Sequence, residues 1–297
     1  MEMWQNGFFS WLTGMRQHVV INGESSSWGN VGSLLGPLLF FIYMNDIDTD
    51  LFSKICKFAD DTKIGHAVAT EDEVRLLRDD LKNLAKWAID WQMLFNVQKC
   101  VVMHIGTNNK LYSYNMNNAT LKIVDVERDL GVIINKNGKY LEQCLMAAKK
   151  GNCVLGMMKR NIKCKNASII MRLYKFLVRP SLEYCIQTWS PDHKKDIEVQ
   201  ERVQKMATKM VYGCEDLNYK DRLSLLELSS LEKRRVRGDL IEVFKLLKGI
   251  AKMNYSIFFK LSVVSKVRRH TYKIVKNSFR LDVRKNFFSN RVFGCME

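Results

Sequence analysis

Apolar and polar positions along the chain alternate between two periods, and the change of period divides it. Trp11 to Gly23 alternates in part and ends on Asn22-Gly23, a strong hairpin turn signal. From Gly36-Pro37 the apolar run Leu38, Leu39, Phe41, Ile42 reads as a buried helix with proline in its first turn. Ile55–Phe58 and Thr62–Gly65 are rich in β-branched and aromatic residues and read as two short strands. Thr70 with Glu73 three positions on is a capping box, and Val74, Leu77, Leu81, Leu84, Ala88, Trp91 and Phe95 follow at spacings of three and four, one apolar helical face. On that face Trp87 and Trp91 read as core packing. Val101–Gly106, Leu121–Val124 and Leu130–Ile134 read as strands, the last two joined through Asp125 to Asp129. Beyond Gly138 the period becomes helical, over Lys139–Met158, Ser168–Tyr184 and Lys194–Val211.

Composition narrows the class. A chain of 297 residues, 47% hydrophobic and 10% aromatic, has the make-up of a folded protein with room for two or more domains. Charge is more informative: 47 Lys and Arg stand against 31 Asp and Glu, a formal +16. From Leu231 to Glu297 there are 17 basic and 5 acidic residues, so most of the excess sits in the last 67 positions. Such a segment attracts polyanions, nucleic acid first and an anionic membrane surface second, although basic faces are often merely solvated. The eight cysteines contain no Cys-x-x-Cys and the five histidines stand singly, so no zinc site is expected. The N-terminus lacks the pattern of a secretory signal, and the longest apolar run, Leu34 to Met44, is too short to span a bilayer. The expectation is a soluble, intracellular protein, nuclear or cytoplasmic, with no membrane partner.

Candidate chemistry centres on Phe58-Ala59-Asp60-Asp61, where two carboxylates fall at the reversal between the two strands. Adjacent carboxylates suit hard divalent cations such as Mg²⁺, and with a third carboxylate could hold two ions about 3.5 to 4 Å apart for in-line phosphoryl transfer. Against this, Asp is an ordinary turn residue. A second pair, Asp79-Asp80, reads as the solvated face of a helix.

The run Gly32-Ser33-Leu34-Leu35-Gly36-Pro37-Leu38-Leu39-Phe40-Phe41-Ile42-Tyr43-Met44-Asn45-Asp46, followed by Phe58-Ala59-Asp60-Asp61, resembles the palm of reverse transcriptases from non-LTR, LINE-type retrotransposons. The distal segments Tyr219–Gly249 and Phe279–Val292 are similar to the distal region of CR1/jockey-like elements. The resemblance implies RNA-directed DNA polymerisation with Mg²⁺ or Mn²⁺ as cofactor and an RNA template with a DNA primer as partners. It makes Asp60 and Asp61 metal ligands and catalytic residues, and Lys99 a catalytic cation near the leaving pyrophosphate. Gly32 and Ser33 would contact nucleotide or template, Leu130, Gly131 and Val132 would form the primer grip, and Lys233, Arg234, Arg235 and Arg237 would meet nucleic-acid backbone. Where the family reads Pro-Gln-Gly-Ser, this chain has Asn30-Val31-Gly32-Ser33, and the lost Gln would help position a base.

The fold expected from this is α+β: a partial palm with an antiparallel sheet and packed helices over 1–138, an all-α thumb over 139–218, and a basic C-terminal extension over 219–297. The fingers and the strand bearing the family's first catalytic aspartate have no counterpart upstream, so the chain resembles an internal piece cut at both ends. The expectation is a catalytically incomplete fragment; the alternative is a nucleic-acid-binding remnant without catalysis.

Overall fold

The computed structural model describes residues 16–295 apart from 19, 22, 31–34, 107–108, 263–271, 277 and 280–281. The chain forms two compact units: Met1–His104 with Asn108–Val124, and Ile105–Thr107 with Asp125–Glu297.

The first unit contains strands β1 (Arg16–Gln17), β2 (Val20–Ile21), β3 (Glu24–Ser25) and β4 (Gly29–Asn30), helix α1 (Leu35–Tyr43), strands β5 (Lys54–Phe58) and β6 (Asp61–Gly65), and helix α2 (Glu71–Asp90). Strands β7 (Val101–Val102), β8 (Asn115–Met116), β9 (Ala119–Thr120) and β10 (Lys122–Ile123) complete it. Helix α2 begins as expected: Thr70 accepts from the Glu73 N–H while Glu73 reaches back to the N-cap, closing the capping box. Its apolar stripe, Val74, Leu81 and Leu84, packs with Met44, Ile47, Tyr114, Met116 and Leu121 in one core.

The unit is mixed helix and sheet, but its strands occur only as two-stranded pairs among the described residues, and β7 with β10 runs parallel. An isolated two-stranded hairpin is marginal in water unless a helix covers a face. β5 and β6 meet that condition through the directly paired Ile55 and Ile64, both packed against the core that α2 anchors. Helix α1 departs from the buried helix its sequence suggests. Leu38, Phe41 and Ile42 are more than half exposed, and packing is carried by Phe40 and by Met44 just beyond the helix.

In the second unit, strands β11 (Val126–Asp129) and β12 (Val132–Asn135) lead into α3 (Leu141–Asn161), α4 (Ala167–Leu173), α5 (Arg179–Glu183), α6 (Lys194–Lys209), α7 (Tyr219–Leu225) and α8 (Leu231–Leu247). Short helices α9 (Asp282–Lys285) and α10 (Phe288–Arg291) follow. Leu155, Met158, Ile170, Tyr174, Leu182, Trp189 and Val203 form the largest core. Gly151 lets α3 close on α6, since a Cβ there would stand 3.0 Å from a Val203 methyl. The single helix expected over 168–184 is interrupted at Tyr174–Val178 by a π turn, in which Arg179 N–H donates to Tyr174 O. Pro180 explains it: having no N–H, it removes one rung of the α ladder, and the wider turn absorbs the loss.

Candidate functional site

Phe58 pairs directly with Asp61, leaving Ala59 and Asp60 as a two-residue loop. Ala59 takes φ +51, a left-handed conformation that turns the chain tightly at some steric cost. Asp60 therefore sits in the loop and Asp61 opens β6, both exposed, and neither carboxylate has a hydrogen-bond or ion-pair partner among the described residues. Four hard oxygen donors are free at one tip, a donor set that fits Mg²⁺. No third His, Cys, Asp or Glu joins them in a metal-binding group among the described residues.

The hairpin is held from two sides. Lys57 donates from Nζ to Met44 O (3.2 Å), Asn45 O (3.0 Å) and Asp48 Oδ1 (2.8 Å), tying β5 to the chain just past α1. The ammonium holds the Asp48 carboxyl below its ordinary value. At the other end, Asp80 accepts from the backbone N–H groups of Phe52 (3.0 Å) and Ser53 (2.9 Å), fixing the approach to β5. This corrects the sequence reading of Asp79-Asp80 as one solvated face. Asp79 is exposed and pairs with Lys82, whereas Asp80 is fully buried. The phase of α2 carries the signal, because Asp80 lies three residues after Leu77 and four before Leu84, on the apolar side.

Lys99 lies in the same unit as the two aspartates, in a turn where its N–H donates to Asn96 O (2.9 Å), and its side chain is exposed. No ion pair joins it to Asp60 or Asp61. Gly32 and Ser33 lie outside the described residues.

The primer-grip candidates belong to the second unit and are arranged differently from the expectation. Residues 126–129, expected as a connection, form β11, and Leu130-Gly131, expected as strand, forms the turn, with φ +45 and +85. A two-residue turn with both φ positive matches the twist of a hairpin, and Gly131 makes it accessible. Leu130 is exposed at the turn, while Val132 is buried in the helical core and offers no surface to a primer.

The four basic candidates on α8 separate into two pairs. Lys233 and Arg237 face solvent. Arg234 makes a two-pronged ion pair with Glu183, whose hydrogen bond pushes the guanidinium pKa up. Arg235 is buried and donates to Gln200, and desolvation pushes its pKa down. As placed, Arg234 and Arg235 hold α8 onto the bundle and are not presented to phosphate. Spacing explains it, since Leu231, Arg235, Asp239, Val243 and Leu246 recur at four and three and form the inward stripe of α8. Glu201 completes the seat of this helix, accepting from Leu231 N–H (2.7 Å) at its positive end and from Tyr219 Oη (2.6 Å). Burial together with that carboxylate pushes the Tyr219 phenol strongly up. The motifs did not single out Glu183, Gln200, Glu201 or Tyr219, and they left Asp80 as a solvated carboxylate.

Residues 26–157 match the family model described as reverse transcriptase (RNA-dependent DNA polymerase). The chain is also similar to a curated relative named probable RNA-directed DNA polymerase from transposon X-element, of Drosophila melanogaster. The two are 25% identical over 228 residues, covering 69% of this chain and 24% of the relative. The chain thus spans about a quarter of that relative's length. No solved structure matches it. Among the described residues no helix is long and apolar enough to cross a membrane.

Proposed function

We propose, for a chain whose residues 26–157 match the reverse transcriptase family model, that Asp60 and Asp61 are two ligands of a divalent-metal site for nucleotidyl transfer on an RNA template and a DNA primer. The observation that carries this is the hairpin tip itself: two adjacent, exposed carboxylates without partners among the described residues, on a strand pair braced at both ends. Divalent ions bound there would lower the pKa of an attacking hydroxyl and neutralise charge on the transferred phosphate. Asp60 is the principal ligand and Asp61 its companion. Lys99 supplies a cation towards the leaving pyrophosphate, Gly32 and Ser33 contact nucleotide or template, and Leu130 and Gly131 form the strand-facing turn. Lys233 and Arg237 meet backbone phosphates.

A metal site of this kind needs another carboxylate, and among the described residues no third one joins Asp60 and Asp61. We infer that the chain on its own holds nucleic acid and binds metal weakly, without extending a primer. Titration with Mn²⁺, read by its electron paramagnetic resonance signal, tests the metal site directly. The parent chain should bind one ion weakly, and Asp60→Asn should abolish that binding. Equal binding by parent and variant would overturn the assignment.

A further inference from the structure

Helix α8 carries apolar side chains on two opposite sides. Leu231, Val243 and Leu246 are buried on the inward one. On the other, Lys233, Arg237, Leu240 and Phe244 recur at spacings of four, three and four, the heptad repeat by which one helix packs along another. Val236 and Ile241 flank them, and these six side chains line a groove of about 360 Å³. Phe244 is 56% exposed and Ile241 43%, and no described residue outside α8 lines the groove. A helix that is apolar on both sides normally has a neighbour on both, and here the described residues cover only one.

The chemistry of this face selects its occupant. Its N-terminal half is cationic: Lys233 and Arg237 are exposed, and neither makes an ion pair among the described residues. Its C-terminal half is Leu240, Ile241 and Phe244. No carboxylate lines the groove, and Glu242, off this face, pairs with Lys245. A nucleic-acid backbone would meet the two cations and leave the apolar half wet. A second copy of a chain with a formal charge of +16 brings charge of the same sign. An amphipathic helix with an apolar stripe and carboxylates towards one end matches both halves, its apolar residues on Phe244 and its acidic ones on Lys233 and Arg237.

We propose that the outward face of α8 docks an acidic amphipathic helix of a partner protein. Lys233 and Arg237 are the cations assigned above to backbone phosphates, so partner and nucleic acid compete for them; that competition alone rests on the function proposed above. The probe is a fluorescein-labelled helical peptide about three heptads long, with leucine at the a and d positions and glutamate on the flanks. Anisotropy compares it with a scrambled peptide of the same composition. The parent chain should bind the amphipathic peptide and not the scrambled one. Phe244→Ser should weaken binding about tenfold or more, as loss of a central aromatic anchor does, and Ile241→Ser should weaken it in the same direction. Lys233→Gln with Arg237→Gln should weaken it about fivefold at low salt and hardly at high salt, because exposed charges are screened. Phe244 and Ile241 are exposed, so the serine variants should keep the circular dichroism of the parent, and either one decides the matter. Equal binding of the scrambled peptide, or binding unchanged in the serine variants, overturns the docking site. Phe244-dependent binding to vesicles of phosphatidylcholine and phosphatidylserine, without peptide binding, overturns it in favour of a membrane surface. A dimer of the parent in sedimentation velocity that Phe244→Ser dissolves overturns it in favour of a second copy. Affinity for an RNA–DNA hybrid that saturating peptide leaves unchanged overturns the competition and leaves the docking site standing. Absence of any hybrid binding by the parent, with the peptide still bound through Phe244, overturns the proposed function and leaves the docking site standing.

Discussion

Replacing Asp80 with Ala removes the acceptor for two backbone N–H groups, those of Phe52 and Ser53. Ser53 is buried, so its N–H is left without a partner, whereas the Phe52 N–H is only part-buried and water reaches it more readily. A buried donor left unsatisfied costs about 1 to 3 kcal/mol, and hydrogen bonds to a charged group stand at the upper end. Taking the full penalty for Ser53 and part of it for Phe52 gives about 2 to 4 kcal/mol for Asp80→Ala. Asp79→Ala is the internal control. It breaks only an exposed pair with Lys82, whose side chains are 58% and 76% exposed, and should change stability by less than about 0.5 kcal/mol. Because the chain folds as two units, a single global transition is a poor reporter. Hydrogen exchange of the β5 and β6 amides reads the affected hairpin directly. Equal effects of the two substitutions, or exchange at β5 and β6 unaltered in Asp80→Ala, would refute the clamp.

Three further outcomes follow from the second unit. Gly131→Ala forces a side chain into φ +85 and against the Tyr184 ring, and should lower the stability of that unit by about 1 to 2 kcal/mol in urea unfolding followed by tryptophan fluorescence. Cys144 is buried, and desolvation pushes its thiol up to about 12 from the ordinary 9.0. It should therefore resist alkylation at pH 8 while the exposed Cys153, Cys164 and Cys185 react, as mass spectrometry of native protein would read. Its folded state disfavours the thiolate, so its contribution leaves stability level below pH 9 and lowers it as pH rises from 9 towards 12.

What the sequence made legible was the local and periodic part of the structure. The capping box and apolar stripe of α2, the two strands around Asp60, and the change to helices past Gly138 each depend on contacts within a few residues. Three features depended on what lies across the fold. Asp80 and Asp79 are the same residue type one position apart, and only the rotation of α2 against the loop at Phe52 separates a buried anchor from a wet carboxylate. The basic run on α8 reads as one polycationic face until its phase is followed, when Arg235 falls inward and Arg234 finds Glu183, fifty-one residues earlier. The turn at Leu130-Gly131 hides within an apolar stretch because Leu is a poor turn residue. Gly131, the Tyr184 hydroxyl and the Gln143 amide hold it there.

The measurement that tests the central claim most directly is primer extension by the purified chain on an RNA template, with Mg²⁺ and four deoxynucleotides, beside Asp60→Asn and with hybrid binding measured in parallel. The account predicts binding without extension in both proteins, because no third carboxylate joins Asp60 and Asp61 among the described residues, and misplacement of about 1 Å can cost a hundredfold in rate. Extension by the parent that disappears in Asp60→Asn would keep Asp60 as a ligand and contradict the incompleteness of the site. Extension of equal strength in both would contradict the assignment of Asp60 itself.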